Sequence, residues 1–319
     1  MPAAPSVKKG GSKLTVSPDR LATSQQEAGG SLRGIKSRSP REEALRRFLA
    51  SKSALVGLAI FLIMILVAIL APVLARYNPN IQFRNGLTAT GSPLPPSGKF
   101  WLGTDPLGRD LYSRLIYGAR TSMEVAILAN IISTIIGVAI GAVAGFFGGI
   151  IDTLLMRFTD VMMSFPVLLF AAFLSVALKP GLKVVIFVIG FVSWFYLARI
   201  VRGEILSVKN RDYVDAARSI GVSRFRILIR HLLPQVYGQI IVYVTLGFST
   251  TVLYEAILSF LGIGVQPPTP SWGNLISDGD QYLTSAPWIA VFPGLAVAIT
   301  VLGLNLLGDG LRDALDPRK

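Results

Sequence analysis

A single histidine, His231, and no cysteine occur among the 319 residues. Without a second imidazole or any thiolate, a nitrogen- or sulfur-ligated metal site lacks its donors. Disulfides and cysteine nucleophiles are excluded outright. His231 precedes Leu232-Leu233-Pro234, a setting for a structural hydrogen-bonder rather than a base. No Gly-x-x-x-x-Gly-Lys-Ser/Thr loop is present, so the chain cannot cradle nucleotide phosphates in the usual way. No paired nucleophile and base or metal-ligand cluster stands out among the remaining residues, so groups that grip, line and pack are expected to carry the function.

Three groups of residues carry that chemistry. The first is a polar, basic insert between two apolar runs, from Asp212 to Pro234. Asp212 is expected to cap a helix, with Asp215 in the first turn where the dipole favours an anion. Tyr213, Ala216, Ala217 and Ile220 share one face, and Gly221 is suited to a left-handed stop. Ser223 is expected to start a second helix, with Phe225, Leu228, Ile229 and Leu232 at the same spacing. The segment 212–233 therefore reads as a helix–turn–helix lying across one membrane face. Ala216 and Ala217 leave room for a partner to approach, and Arg218, Arg224, Arg226 and Arg230 surround the turn. Such an insert gives a soluble partner something to hold.

The second group is Gln239, Tyr243, Thr250 and Tyr254, which fall within roughly 60° of one another on an α-helix. A polar stripe in lipid must face protein or water. It either lines a pathway or hydrogen-bonds neighbouring helices, and the sequence leaves both open. Glu255 and Glu124 lie near helix ends, where snorkelling or a local ion pair is expected. The third group lies in two Pro- and Gly-rich loops, Phe100–Asp110 and Gln266–Trp272, whose charges can pair and whose aromatics suit an interface.

The elements that position these residues are membrane spans. The chain is 52% hydrophobic and 15% charged, well short of the quarter charged that a soluble domain carries. Six spans are expected: 54–75, 122–146, 155–178, 184–202, 235–257 and 288–307. With the N-terminus inside, the inner segments hold 23 of the 31 Lys and Arg residues and the outer segments 8. Both termini and the insert are therefore expected in the cytoplasm. Topology also explains the net charge of +13 without invoking nucleic acid.

Residues 1–38 read as a disordered cytoplasmic tail. Residues 39–53 read as an interfacial amphipathic helix on the lipid surface, capped by Ser39, or else as an extended basic flank. Gly137, Gly141 and Gly145 form a flat stripe for close helix packing. Pro166 and Pro293 are expected to bend their spans.

Several motifs together resemble one family. Asp215-Ala-Ala, Gly221 and His231-Leu-Leu-Pro234 resemble the cytoplasmic loop of binding-protein-dependent ABC importer permeases, with Asp215 where the family usually has Glu. Leu102–Asp110, Gly148–Asp152, Glu255–Gly262 with Pro267–Gly273, and Asn305–Pro317 resemble the C-type subunit of the dipeptide/oligopeptide/nickel branch. The resemblance covers residues 45–319.

It implies an all-α membrane fold of six transmembrane helices, the type I ABC importer permease fold, with a cytoplasmic coupling helix in the permease domain 54–319. It implies a non-catalytic permease subunit that forms half of a pathway for peptides, in a bacterial inner membrane. Nickel chelates or oligosaccharides are alternative cargoes. An ion-driven secondary transporter and a substrate-free scaffold are weaker alternatives.

The implied partners are a second homologous permease, two ATP-binding cassette ATPases and an extracytoplasmic solute-binding protein. ATP and Mg would be bound by the ATPases, with no cofactor in this chain. Tyr213, Asp215, Ala216, Ala217, Gly221 and Arg224 would couple to the ATPase. Asp105, Arg109, Asp110, Gln266 and Trp272 would contact the binding protein or, equally, pack the loops. Gln239, Tyr243, Thr250 and Tyr254 would line the pathway.

Overall fold

A backbone crossing lipid must satisfy its own hydrogen bonds, in helices or closed barrels, and helices dominate among the described residues. The structure, a computed structural model, describes residues 40–315. The expectations for residues 1–38 and for Ser39 as a cap lie outside them. The described residues contain no strand, only two isolated bridges in the loop before residue 111.

Helix α1 spans Pro40–Ala50 and α2 spans Lys52–Ile69. Ser51 separates them because its Oγ accepts the Ala54 N–H at 3.3 Å and so caps α2. After a break at Leu70, the short α3 (Ala71–Leu74) completes the first expected span. Helix α4 runs Leu111–Phe147 and begins well before the expected Ser122. Asp110 starts it by accepting the Ser113 N–H at 2.8 Å and Oγ–H at 2.6 Å. Arg114 lies within this added stretch, and its side chain is buried against Asp105.

The third expected span is two helices, α5 (Gly149–Ser164) and α6 (Val167–Ala177), bent by 86° at Phe165-Pro166. Pro166 does more than bend a continuous helix: it has no N–H, and the residue before it is driven to extended backbone. The fourth span is α7 (Leu182–Val192) and α8 (Trp194–Val208), broken only at Ser193.

The insert forms α9 (Asp212–Ser219) and then α10 (Arg224–Ile227). A π-helical turn, Leu228–Leu232, joins α10 to α11 (Leu233–Phe260). The second helix of the expected helix–turn–helix is thus the start of the fifth span, which runs Arg224–Phe260 as one unit. The wider π turn places Pro234 at the first turn of α11, where a missing N–H disrupts least. Helix α12 (Trp272–Asp280) and the long α13 (Trp288–Leu315), which contains Pro293, complete the described chain.

The glycine stripe fixes the central packing. A Cβ on Gly137, Gly141 or Gly145 would fall 2.8, 2.3 or 2.9 Å from the carbonyl oxygens of Trp194, Ala198 and Arg202. The paired numbers rise together, so α4 and α8 run parallel. Two parallel crossings require the chain to return between them, so α5 and α6 jointly cross and the helices make six passes. In contrast, Gly57 meets Gly303 and Leu307, while Gly310 meets Ala54, so α2 and α13 run antiparallel. The chain from Ala44 onward forms one compact unit.

Candidate functional site

The insert is built from the ends of α8 and α11. Val214 and Ala217 of α9 are buried in a cluster with Phe146, Ile205, Val208, Ile227, Leu228 and Leu232. Periodicity had grouped Ala217 with Tyr213, Ala216 and Ile220 on a partner-facing side. That grouping fails at Ala217, which packs inward with Val214 while the other three are exposed. Phe225 and Ile229 are likewise exposed, whereas Leu228 and Leu232 are buried. Ile220 at 81% and Phe225 at 73% exposure flank the Gly221 turn as an apolar platform, and Tyr213 of α9 is exposed as well.

The turn closing α9 is tightly specified. Gly221 has φ +80°, and its N–H donates to the Arg218 carbonyl while the Val222 N–H donates to Ala217, at 3.0 and 3.1 Å. This pair of bonds is a Schellman closure, with Val222 packed on the same buried cluster as Ala217. At the start of α9 the cap position belongs to Arg211 and has no side-chain bond, so Asp212 is not the cap. Asp212 and Asp215 both lie in the first turn, where they complement the dipole. Asp215 also accepts from Arg218 at 2.9 Å, and Arg224 is exposed.

The polar stripe of α11 lines open space. Tyr243, Thr250 and Tyr254 border a cavity of about 290 Å³, together with Asn130, Ser133 and Tyr196. Gln239 borders a second space of about 610 Å³ with Glu204, Arg211 and Arg312, and Tyr243 and Leu246 belong to both. The two spaces thus adjoin at Tyr243 and Leu246 of α11. Among the described residues none of the four stripe side chains hydrogen-bonds another helix. That role falls to Asn130, which donates to the Val244 carbonyl at 2.8 Å, and to Ser249, which donates to Asn305 at 2.8 Å. Every residue lining the 290 Å³ cavity is uncharged. Tyr196 was missed in the sequence because it lies on α8, and only packing brings it opposite α11.

The two Pro- and Gly-rich loops are packed rather than splayed. Asp105 is fully buried, and one carboxylate oxygen accepts the Leu107 and Arg109 N–H groups at 2.9 Å. The other oxygen faces Arg109 at 2.5 Å and Arg114 at 3.1 Å. Both arginines reach towards Asp278 of α12, at 3.7 and 3.8 Å. Burial pushes the Asp278 carboxyl above its ordinary range, and Arg114 draws it back only in part.

Asp110 is spent on capping α4, and Trp272 is buried with its Nε1 donating to the Leu115 carbonyl at 3.2 Å. Asp105, Arg109, Asp110 and Trp272 are thus buried and hold these loops together. Gln266 is half-buried and donates to the carbonyls of Gly262 and Gly264 at 3.0 and 3.2 Å. Exposed side chains in these loops include Trp101 and Leu107, and Leu283 is exposed in the connection between α12 and α13.

Glu255 departs furthest from expectation. It neither snorkels nor forms an ion pair, but is fully buried, with Ser122 and Ser259 donating at 2.7 and 2.8 Å. Glu124 is exposed on α4.

This architecture has counterparts of known kind. Residues 137–319 match the binding-protein-dependent transport system inner membrane component family, and residues 39–96 match the N-terminal TM domain of oligopeptide transport permease C. The oligopeptide transport system permease protein OppC of Bacillus subtilis is 42% identical over 283 residues, covering 89% of this chain and 91% of that one. The dipeptide transport system permease protein DppC of Alkalihalophilus pseudofirmus is 40% identical over 285 residues, covering 88% and 90%. The di/tripeptide permease DppC of Pseudomonas aeruginosa is 42% identical over 281 residues, covering 88% and 93%.

In structure, a chain of the inward-facing MetNI methionine ABC transporter superposes with TM-score 0.51 at 18% identity, over 64% of this chain and 96% of that one. That likeness concerns the fold. Family match, identity and helical architecture agree, and this chain belongs to the binding-protein-dependent transport system inner membrane components.

Proposed function

We propose that this chain is one of two permease subunits of an ATP-driven peptide importer and forms half of its translocation route. The relatives named for dipeptide and oligopeptide transport support the cargo class. The observation that carries the mechanism is the joint between platform and cavity. Ile220 and Phe225 are exposed on either side of the turn locked by Gly221, Tyr213 is exposed on α9, and α9 is packed onto the ends of α4, α8 and α11. Of these, α8 and α11 supply Tyr196, Tyr243 and Tyr254 to the uncharged cavity. A push on the platform therefore moves the walls of the route.

The push comes from elsewhere, since no phosphate loop is present in the sequence. Two cytoplasmic ATPases, which bind ATP and Mg, are the source, and this chain has no catalytic role of its own. Coupling follows if the ATPases grip the platform differently in their open and closed states. The second wall comes from a homologous permease. Cargo is delivered by an extracytoplasmic binding protein, which would meet exposed outer side chains such as Trp101 and Leu107 rather than the buried Asp105. Both termini and the platform face the cytoplasm, following the lysine and arginine bias. The uncharged lining of the 290 Å³ cavity suits peptides of varied side-chain charge, while Glu204, Arg211 and Arg312 place both signs beside the adjoining space.

Ile220→Asp and Phe225→Asp test the reading, because each places a charge on the apolar platform without touching the buried cluster. In a complex reconstituted with ATPases and binding protein, peptide-stimulated ATP hydrolysis and tripeptide uptake are expected to fall at least about tenfold, with permease levels unchanged. Full uptake by both variants, or uptake that persists after the ATPases are removed, refutes it.

A further inference from the structure

Glu255 has no part in the route just described: it is buried with no cation beside it and does not line the cavity. Its surroundings are specific. Ser122 of α4 donates to one carboxylate oxygen at 2.7 Å, and Ser259, one turn along α11, donates to the other at 2.8 Å. Ser271, the cap of α12, completes the set. Each hydroxyl oxygen in turn accepts a backbone N–H from the outer segment. Trp272 donates to Ser122 at 3.4 Å, Val265 to Ser259 at 3.1 Å, and Asn274 to Ser271 at 3.3 Å. Since each hydroxyl oxygen receives an N–H, its own proton is free to point at Glu255. A carboxyl group has acceptor lone pairs on both oxygens, enough for three such donors.

The cage joins three elements that are distant in sequence. The segment between α11 and α12 is pressed against it. A Cβ on Gly264 would lie 2.3 Å from the Ser259 Oγ, and one on Gly273 would lie 2.3 Å from the Ala256 carbonyl oxygen. Further along, α12 reaches the outer loop through Asp278, Arg109 and Arg114. The other end of α11 is continuous with the platform through the helical run Arg224–Phe260.

We propose that Glu255 is a positioning residue for transport, the acceptor hub that fastens the outer segment Leu261–Asp280 to α11, so that a tilt begun at the platform carries the outer cover with it. This rests on the coupling role proposed above. It predicts that loss of the hub uncouples the two ends of α11 while leaving the fold of either end in place.

Glu255→Gln is the test, because an amide keeps the shape but turns N–H donors towards hydroxyl protons that already point inward. Two quantities are read in the assembled complex: backbone hydrogen exchange across residues 262–274, and the increment of ATP hydrolysis caused by binding protein loaded with a tripeptide. Exchange in that segment is expected to rise about tenfold, with α4 and α8 unchanged, while the stimulated increment falls to the basal rate. Wild-type values for both overturn the proposal. So does faster exchange with full stimulation, which makes the cage mere packing, and so does lost stimulation with unchanged exchange. If Glu255→Gln does not assemble, Ser271→Ala keeps the carboxylate and removes one donor. The same two changes are then expected at about threefold, and wild-type behaviour there refutes the hub. A wild-type complex without stimulated hydrolysis would count against the importer reading, while the exchange result would still judge the hub.

Discussion

At the scale of single residues, two outer carboxylates with the same arginine neighbours are expected to behave oppositely. Asp105 is buried and accepts two backbone N–H groups as well as both guanidinium groups. Asp105→Asn leaves two buried cations poorly matched and is expected to cost about 3–5 kcal/mol. Asp278 has a raised pKa because burial outweighs its distant arginines. The folded chain therefore binds the Asp278 proton more tightly than the unfolded chain does. Its stabilising contribution is present at low pH and lost as pH rises through the folded value. Asp278→Asn should thus leave the melting temperature at neutral pH unchanged or slightly raised, whereas Asp105→Asn lowers it; thermal melts of the purified complex distinguish the two.

The sequence flagged Asp105 and Arg109 as able to pair, but could not tell a buried clamp from an exposed handle, because Arg114 and Asp278 arrive from other elements. Glu255 was illegible for the same reason. Near a helix end it looked like a snorkelling group, and only folding brings Ser122 and Ser271 to it. Val214 was passed over because a face drawn through Tyr213 and Ile220 left it among polar neighbours.

At the scale of elements, local spacing was readable and long-range geometry was not. The Gly137, Gly141 and Gly145 stripe was expected to pack a helix, and it packs α8 at backbone distance. Gly141→Leu is expected to destabilise the chain by about 1–3 kcal/mol or more, because its first side-chain atom already falls 2.3 Å from the Ala198 carbonyl oxygen. Gly203→Leu, where nothing lies within 4 Å, is the matched control and should be near neutral. Detergent melting curves of both variants give the comparison. Gly221 was likewise legible as a left-handed stop, since only the turn itself dictates it. Pro166 announced an interruption but not its 86° size, which depends on what α6 packs against. The start of α4 was placed at Ser122, eleven residues late, because the apolar run marks only the lipid-facing part of a helix that Asp110 caps at Leu111.

At the scale of the whole molecule, the number of passes was set by apolar length, and the parallel course of α4 and α8 supplies the missing return for the bent third pass. The pairing of platform with cavity was not legible, because nothing in the insert says that Val214 and Ala217 would lock onto α4 and α8. Between platform and cavity lies the π turn Leu228–Leu232, whose closing bond runs from the Leu233 N–H to the Leu228 carbonyl. That turn holds one more residue than an α turn, and one residue is worth about 100° of rotation. It therefore acts as a phase offset, setting the compass bearing of Tyr243, Thr250 and Tyr254 relative to Ile220 and Phe225. Deleting Ile229 should relax the turn to ordinary α geometry and swing those tyrosines off the cavity by about that angle. Tripeptide uptake would be expected to cease even where the shortened helix still inserts and the ATPases still bind, as co-purification would reveal. A gearing error of one tooth would leave every part intact and the machine idle.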